Sequence, residues 1–233
     1  MSVRYNRFTT HIKEDDKSNV SIIILSAGIG SRMRSYGPRC LFKVDHRTIL
    51  QKQIEILDSV FKNNEIILVV GFEASKVIKK VPPNIRIVEN QMHEETNSFE
   101  SLRLGINNAI NNKVLFLHGD LIFNKKTFSD VKFNKSFIIT DSAGQMKDSE
   151  VGVTVVNNKA TCFAYGLDTK WCQMAFLKGK EYDIMRSIAL KWNKSTFYTF
   201  EALNLIVEKH GNLTAFEPEQ MFIKEIDSMK DLK

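Results

Sequence analysis

The chain has 233 residues, 43% of them hydrophobic, enough for a sizeable core in one large α/β domain or two small ones. Lysine and arginine outnumber aspartate and glutamate by 33 to 27; the net charge of +6 suits anionic ligands but is not gathered into a long basic run, so neither its charge nor its aromatic pattern asks for nucleic acid. No apolar stretch has the length of a membrane span, and Cys40, Cys162 and Cys172 lack CxxC spacing and leave an odd thiol, which fits a reducing cytoplasm rather than a disulfide framework.

Residues 1–19 are polar and mixed in charge, without the apolar centre of a secretory signal, and read as an extension that carries no chemistry. VSIIILS, from Val20 to Ser26, is a short β-branched run ending at Gly28 and Gly30, the pattern of a buried parallel strand entering a loop. Arg47 to Phe61 places Ile49, Leu50, Ile54, Ile56, Leu57 and Val60 at roughly helical spacing, and EIILVV from Glu65 to Val70 is a second buried strand ending at Gly71. Next come a strand at Asn84 to Val88, a helix at Phe99 to Ile110, and strands at Lys113 to Leu117 and Ser136 to Thr140. Such alternation predicts a mainly parallel mixed sheet with helices on both faces, a Rossmann-like three-layer α/β fold.

Beyond residue 149 the pattern changes. Glu150 to Asn157 and Ala160 to Tyr165 form a hairpin around Asn157, Asn158 and Lys159. The stretch holding Tyr165 and Trp171 reads as loop-rich, helices follow at about Tyr182 to Trp192 and Phe197 to His210, and a last strand lies near Met221 to Ile226. No linker forces a boundary, so 20–233 is taken as a single domain: a nucleotide-binding half at 20–149 and an acceptor-binding portion at 150–233.

Three motifs carry chemistry. Leu25, Ser26, Ala27, Gly28, Gly30 and Ser31 lead into Arg32 and then Pro38-Arg39. Glycines after a buried strand let backbone N–H groups approach a polyphosphate, and Arg32 and Arg39 can add charge-assisted hydrogen bonds. A dinucleotide fingerprint would need glycine where Met33 stands, and a P-loop would need Gly-Lys-Ser/Thr, which is absent. His118-Gly119-Asp120 puts a carboxylate at a strand's C-terminal end, the ligand edge of such a sheet, where Mg²⁺ takes one or two carboxylates plus phosphate oxygens. Near the C-terminus, Lys224-Glu225-Ile226-Asp227 sets two acids on one strand face, and Asp227 is the favoured second metal ligand. The plain alternatives are a turn-capping aspartate and a solvated charged tail.

The first motif resembles the LxAGxGxRM…PK signature of the sugar-phosphate and phosphocholine nucleotidyltransferases, with Ser26 where alanine is usual and Arg39 where the family has lysine; Lys43 is a nearby substitute. The segment IKEIDSMKDL resembles the C-terminal EID element of the phosphocholine branch, and Val70-Gly71-Phe72 and Glu95-Thr96-Asn97-Ser98 are similar to the family's VVGY turn and TN…SL segment. The resemblance implies a Mg²⁺-dependent transfer of a nucleoside monophosphate, with Asp120 and Asp227 on the metal, Arg32, Arg39 and Asp120 in the chemistry, and Leu25 to Gly28, Gly30, Ser31, Gly71, Asn97 and Ser98 around the nucleotide. Tyr165, Trp171 and Glu201 are the candidates for holding a cationic acceptor. CTP and a phosphocholine-like phospho-amino compound are the favoured substrates. The alternatives are a sugar-1-phosphate enzyme using UTP, dTTP or GTP, and a nucleotide-binding regulator without turnover. Neither nucleic acid nor membrane is expected as a partner, and self-association into a homo-oligomer stays open.

Overall fold

The computed structural model describes residues 17–30, 36–62, 64–144 and 146–232. The predicted first strand is β1 (Ser21–Ser26), its residues Ile22 and Ile24 facing one core and Ile23 and Leu25 the other. A short β2 (Lys43–Val44) and β3 (Arg47–Thr48) precede α1 (Ile49–Val60). The helix therefore starts two residues later than expected, because Thr48 caps it: its hydroxyl accepts from Gln51 N at 3.1 Å while the Gln51 side chain accepts from Thr48 N at 2.9 Å. The next elements are β4 (Glu65–Val70), α2 (Ala74–Ile78), β5 (Arg86–Glu89), α3 (Ser98–Asn108), β6 (Lys113–His118), β7 (Leu121–Phe123) and β8 (Phe137–Asp141).

The predicted hairpin is β9 (Val151–Val156) and β10 (Lys159–Tyr165), joined by Asn157 and Asn158, whose φ angles of 52° and 60° make the two-residue left-handed turn that asparagine tolerates. The stretch read as loop-rich is instead β11 (Thr169–Lys178), a ten-residue strand paired with both β6 and β8. Both its faces are covered and its register shifts between Trp171 and Ala175, so neither a simple alternation nor a turn-bounded apolar run marked it. The fold closes with α4 (Gly179–Ala189), α5 (Thr199–Glu208), β12 (Thr214–Phe216) and β13 (Ile223–Glu225). Trp192, expected to end the fourth helix, lies beyond it in a 3₁₀ turn.

Among the described residues one nine-stranded sheet runs β5-β4-β1-β6-β11-β8-β12-β10-β9. β11 and β10 run against the other strands, giving the mainly parallel mixed sheet the sequence predicted. One face packs on α1 and α2 through Leu50, Ile54, Leu57 and Val77; the other packs on α3, α4 and α5 through Phe99, Leu102, Met185 and Ile206. Among the described residues no helix is long and apolar enough to cross a membrane.

Candidate active site

The two predicted carboxylates, 107 positions apart, meet because of two backbone arrangements. At the end of β6, Gly119 N donates to Leu25 O at 2.8 Å, which turns the chain across β1. A Cβ on residue 119 would stand 1.9 Å from Ser26 Oγ, so only glycine allows this approach. β7 then pairs antiparallel with β13, Leu121 opposite Glu225, and Ile226 N donates to Asp120 O at 3.0 Å, bringing Asp227 alongside Asp120.

Arg39 joins them. It begins a 3₁₀ turn (Arg39–Leu41) anchored by buried Cys40, and its Nη1 lies 2.9 Å from Asp120 Oδ2 and 2.9 Å from Asp227 Oδ1. Burial works against the guanidinium's charge, but Asp120 and Asp227 outweigh it and hold its pKa above the ordinary value. Glu225, also in this group, has its carboxyl pushed up to about 8, by burial first and then by Asp120 and Asp227. Burial lowers the pKa of His118 despite nearby Asp120; its Nε2 lies 3.2 Å from Thr199 Oγ1, and the residue borders the cavity over these groups.

A cavity of about 420 Å³ opens over these groups. Of the predicted residues it is lined by Leu25, Ala27, Gly28, Arg39, Asn97, Ser98, Asp120, Tyr165, Trp171 and Asp227. A Cβ on Gly28 would meet nothing within 4 Å, so this backbone is open to whatever fills the cavity. Ser26, Gly30, Gly71 and Glu201 do not line it. Gly71 serves packing, since a Cβ there would come within 2.7 Å of His93 Cβ and 2.8 Å of Ala27 O. Glu201 is spent on its own helix, accepting from Tyr198 N at 2.7 Å. Ser31 and Arg32 lie outside the described residues, and Lys43 is an exposed residue of β2.

Trp171 is the main correction. It reaches the cavity wall but is only 2% exposed, its indole N–H donates to Met174 O at 3.1 Å, and its ring packs edge-on to Phe116 and Phe163: it is a core side chain with one edge on the site. The open aromatic wall is formed by Tyr165, Tyr198 and Phe200. Phe200 meets Tyr165 edge-on at 5.5 Å and stacks on Tyr198 at 5.9 Å, and the two tyrosines are 50% and 44% exposed.

Sequence reasoning missed Tyr198 and Gln53; it placed Phe200 only within a segment expected in the acceptor-binding portion, and Gln173 only as a polar partner for an amine-bearing acceptor. Gln53 sits on the buried face of α1 and donates to His118 O at 3.0 Å and Leu121 O at 2.7 Å, bracing the turn that carries Asp120. A glutamine inside the apolar stripe of Leu50, Ile54 and Leu57 was the available signal. Gln173 takes a φ of 55° at the β11 irregularity, which directs its amide to Glu225.

The donor set suits a divalent cation. Asp120 Oδ1 is buried and has no hydrogen-bond partner among the described residues, and the Asp227 carboxylate stands next to it. Two carboxylates bordering an open cavity match what Mg²⁺ asks of a protein that leaves the remaining positions to phosphate and water. Asp120 and Asp227 are the residues that would hold it.

Residues 22–136 match the MobA-like NTP transferase domain. This chain carries a nucleotidyltransferase domain. The match spans β1, Gly28, Gly30, Arg39 and Asp120. Over 108 residues, 45% of its length, the chain is 32% identical to the bifunctional protein GlmU of Campylobacter concisus, and it spans about a quarter of that relative's length. It is 25% identical over 227 residues to the choline-phosphate cytidylyltransferase of Streptococcus pneumoniae, covering 91% of this chain and 94% of that one. The solved structure of the CTP:phosphocholine cytidylyltransferase from Streptococcus pneumoniae has the same fold, with a TM-score of 0.74 at 22% identity over 91% of this chain and 96% of that one. So does a UDP-glucose pyrophosphorylase complexed with UDP-glucose, with a TM-score of 0.69 at 10% identity over 92% and 95% of the two chains. The transferase fold thus extends across both halves of the chain.

Proposed function

We propose that this chain transfers CMP from CTP to a small phosphorylated acceptor of the phosphocholine kind and releases pyrophosphate. The observation that carries the reading is the convergence of Asp120, Asp227, Arg39 and the open backbone at Gly28 on one cavity that ends in an aromatic wall. In this account an oxygen of the acceptor phosphate attacks the α-phosphorus in line, a new P–O bond forms, and the bond to the β-phosphate oxygen breaks with departure of pyrophosphate. Ala27 and Gly28 offer backbone to the phosphates, and Arg39 supplies a guanidinium fork matched to phosphate oxygens. A divalent cation held by Asp120 and Asp227 supplies neutralisation of phosphoryl charge. Asn97 and Ser98, tied to Thr196 O and Thr199 N, flank the nucleotide side, in the half at 20–149.

On the acceptor side, within 150–233, Tyr165, Tyr198 and Phe200 present ring faces and edges, while Glu150, which also borders the cavity, is paired with Lys170. A quaternary ammonium donates no hydrogen bonds and is best met by aromatic faces, and this wall of rings favours such an acceptor over a hexose phosphate. The likeness of fold to a UDP-glucose pyrophosphorylase keeps transfer of UMP, dTMP or GMP to a sugar 1-phosphate as the second reading. Pyrophosphate release measured with four triphosphates against phosphocholine, phosphoethanolamine and sugar 1-phosphates separates them. We expect CTP with phosphocholine to turn over fastest, and Tyr198→Ala to raise the acceptor's KM more than that of CTP. Faster turnover of a sugar 1-phosphate, with Tyr198→Ala leaving its KM unchanged, selects the second reading.

A further inference from the structure

Arg39 stands where the family signature has lysine, and its geometry gives that difference a consequence. One guanidinium nitrogen is shared between Asp120 Oδ2 and Asp227 Oδ1, 2.9 Å from each. A cation is therefore already seated between the two carboxylates to which the preceding reading gives the metal. Mg²⁺ binds carboxylate oxygens at roughly 2.0–2.1 Å, and a guanidinium hydrogen-bonded to the same oxygens would sit within a few ångströms of it, a like-charge contact that opposes shared occupancy. Asp120 Oδ1 is buried and has no hydrogen-bond partner among the described residues.

The side chain also has somewhere to go. Its stem lies against the glycine loop: a Cβ on Gly30, whose φ is +59°, would stand 3.0 Å from Arg39 Nε and 3.4 Å from its Cδ. The guanidinium borders the cavity and is about a quarter exposed, so it can rotate about its own stem from the carboxylates toward a phosphate without moving the backbone. A planar fork pairs with phosphate in a two-bond geometry that a lysine ammonium cannot offer.

We propose that Arg39 is an exchangeable counter-ion that makes divalent-cation binding at Asp120 and Asp227 conditional on the triphosphate: the guanidinium bridges the two carboxylates until a phosphate draws it away and frees both for the metal. The inference rests on the reading of Asp120 and Asp227 as metal ligands. By linkage, the metal and the triphosphate then each strengthen the binding of the other.

The test is Mn²⁺ binding to the full chain followed by water-proton relaxation, which separates protein-bound Mn²⁺ from Mn²⁺ on free CTP, with Arg39→Gln, Arg39→Lys and Asp120→Asn compared with wild type. With Mn²⁺ alone, Arg39→Gln binds about tenfold or more tighter than wild type, Arg39→Lys falls between, and adding Asp120→Asn to Arg39→Gln removes the gain. With CTP present the gap between Arg39→Lys and wild type narrows. If Arg39→Gln fails to fold, Arg39→Lys decides by the same comparison. Equal or weaker Mn²⁺ binding in the Arg39 variants, still abolished by Asp120→Asn, overturns the exchange and leaves the metal reading standing. No relaxation enhancement in any variant, with or without CTP, overturns both.

Discussion

Asp120 owes its place to the residue before it. Gly119 lets β6 turn against Leu25 and Ser26, and a methyl group there would collide with the Ser26 hydroxyl. Gly119→Ala should therefore destabilise the fold by roughly 1–3 kcal/mol, an overpacking cost, and Ser26→Ala in the same chain should recover part of it. Thermal unfolding of the two single variants and the double reads this directly; identical melting temperatures in all three would mean that the turn does not need glycine. Asp120→Asn preserves the shape and leaves Arg39 its bond to Asp227, so its melting temperature should stay near that of wild type while kcat falls about a hundredfold or more. Near-normal turnover would remove Asp120 from the chemistry. At this scale the sequence was informative where a residue type carries its own chemistry: Asp120, Arg39 and Asp227, which the structure brings together, were named as candidates from the chain alone, with Gly119 noted only as the neighbour of Asp120. It offered Gln173 only as a polar partner for an amine-bearing acceptor and not as a partner of Glu225, a position that depends on a bulge, and it misjudged Trp171, because an aromatic soon after Gly166 and Asp168 looks exposed until the strand that buries it is known. For that reason Trp171→Ala is a poor probe of the acceptor: it would empty core volume at a cost of roughly 3–5 kcal/mol before any question of binding arose.

Among the elements, α1 does two jobs. Its apolar face covers the sheet, and Gln53 within that face holds the carbonyls of His118 and Leu121 on either side of Asp120. Gln53→Leu is close in size but leaves both oxygens without their donor, so we expect a loss of roughly 1–3 kcal/mol in urea unfolding together with reduced kcat at unchanged CTP KM. Lost stability with full kcat would limit Gln53 to the fold. The β9–β10 hairpin gives an independent check on an element predicted and found: Asn158→Val, forcing a β-branched residue to positive φ, should cost on the order of 1–2 kcal/mol, whereas Asn158→Gly should hold or raise stability in the same unfolding experiment. Equal stability of the two variants would argue against the left-handed turn. The parallel strands were legible because each is a compact apolar run bounded by glycine or by polar residues. β13 falls within the strand expected near Met221 to Ile226, whereas β7 and β12, of three residues each, are too short for a period to show and are defined only by their pairing in the folded chain.

The molecule as a whole works by bringing its two ends to one place. Gly28 and Gly30 follow β1, Asp227 follows β13, and the β7–β13 ladder brings Asp227 beside Asp120 at the cavity. The three-layer arrangement could be foreseen from the order of apolar runs, and the position of the nucleotide side followed from it, since ligands of parallel sheets gather at the C-terminal ends of the strands. The acceptor side could not be foreseen in the same way. Its walls come from β10, from the start of α5 and from the turn before it, segments distant in sequence whose side chains form a surface only after folding. The central claim is that this cavity cleaves a triphosphate between its α- and β-phosphorus and passes the nucleoside monophosphate to an acceptor phosphate. Phosphorus-31 NMR of the full chain with CTP, phosphocholine and Mg²⁺ tests that most directly. We predict pyrophosphate and a cytidine diphospho-linked acceptor appearing in equal amounts, while release of orthophosphate with CDP, or an unchanged CTP spectrum with every acceptor and triphosphate offered, would contradict the account.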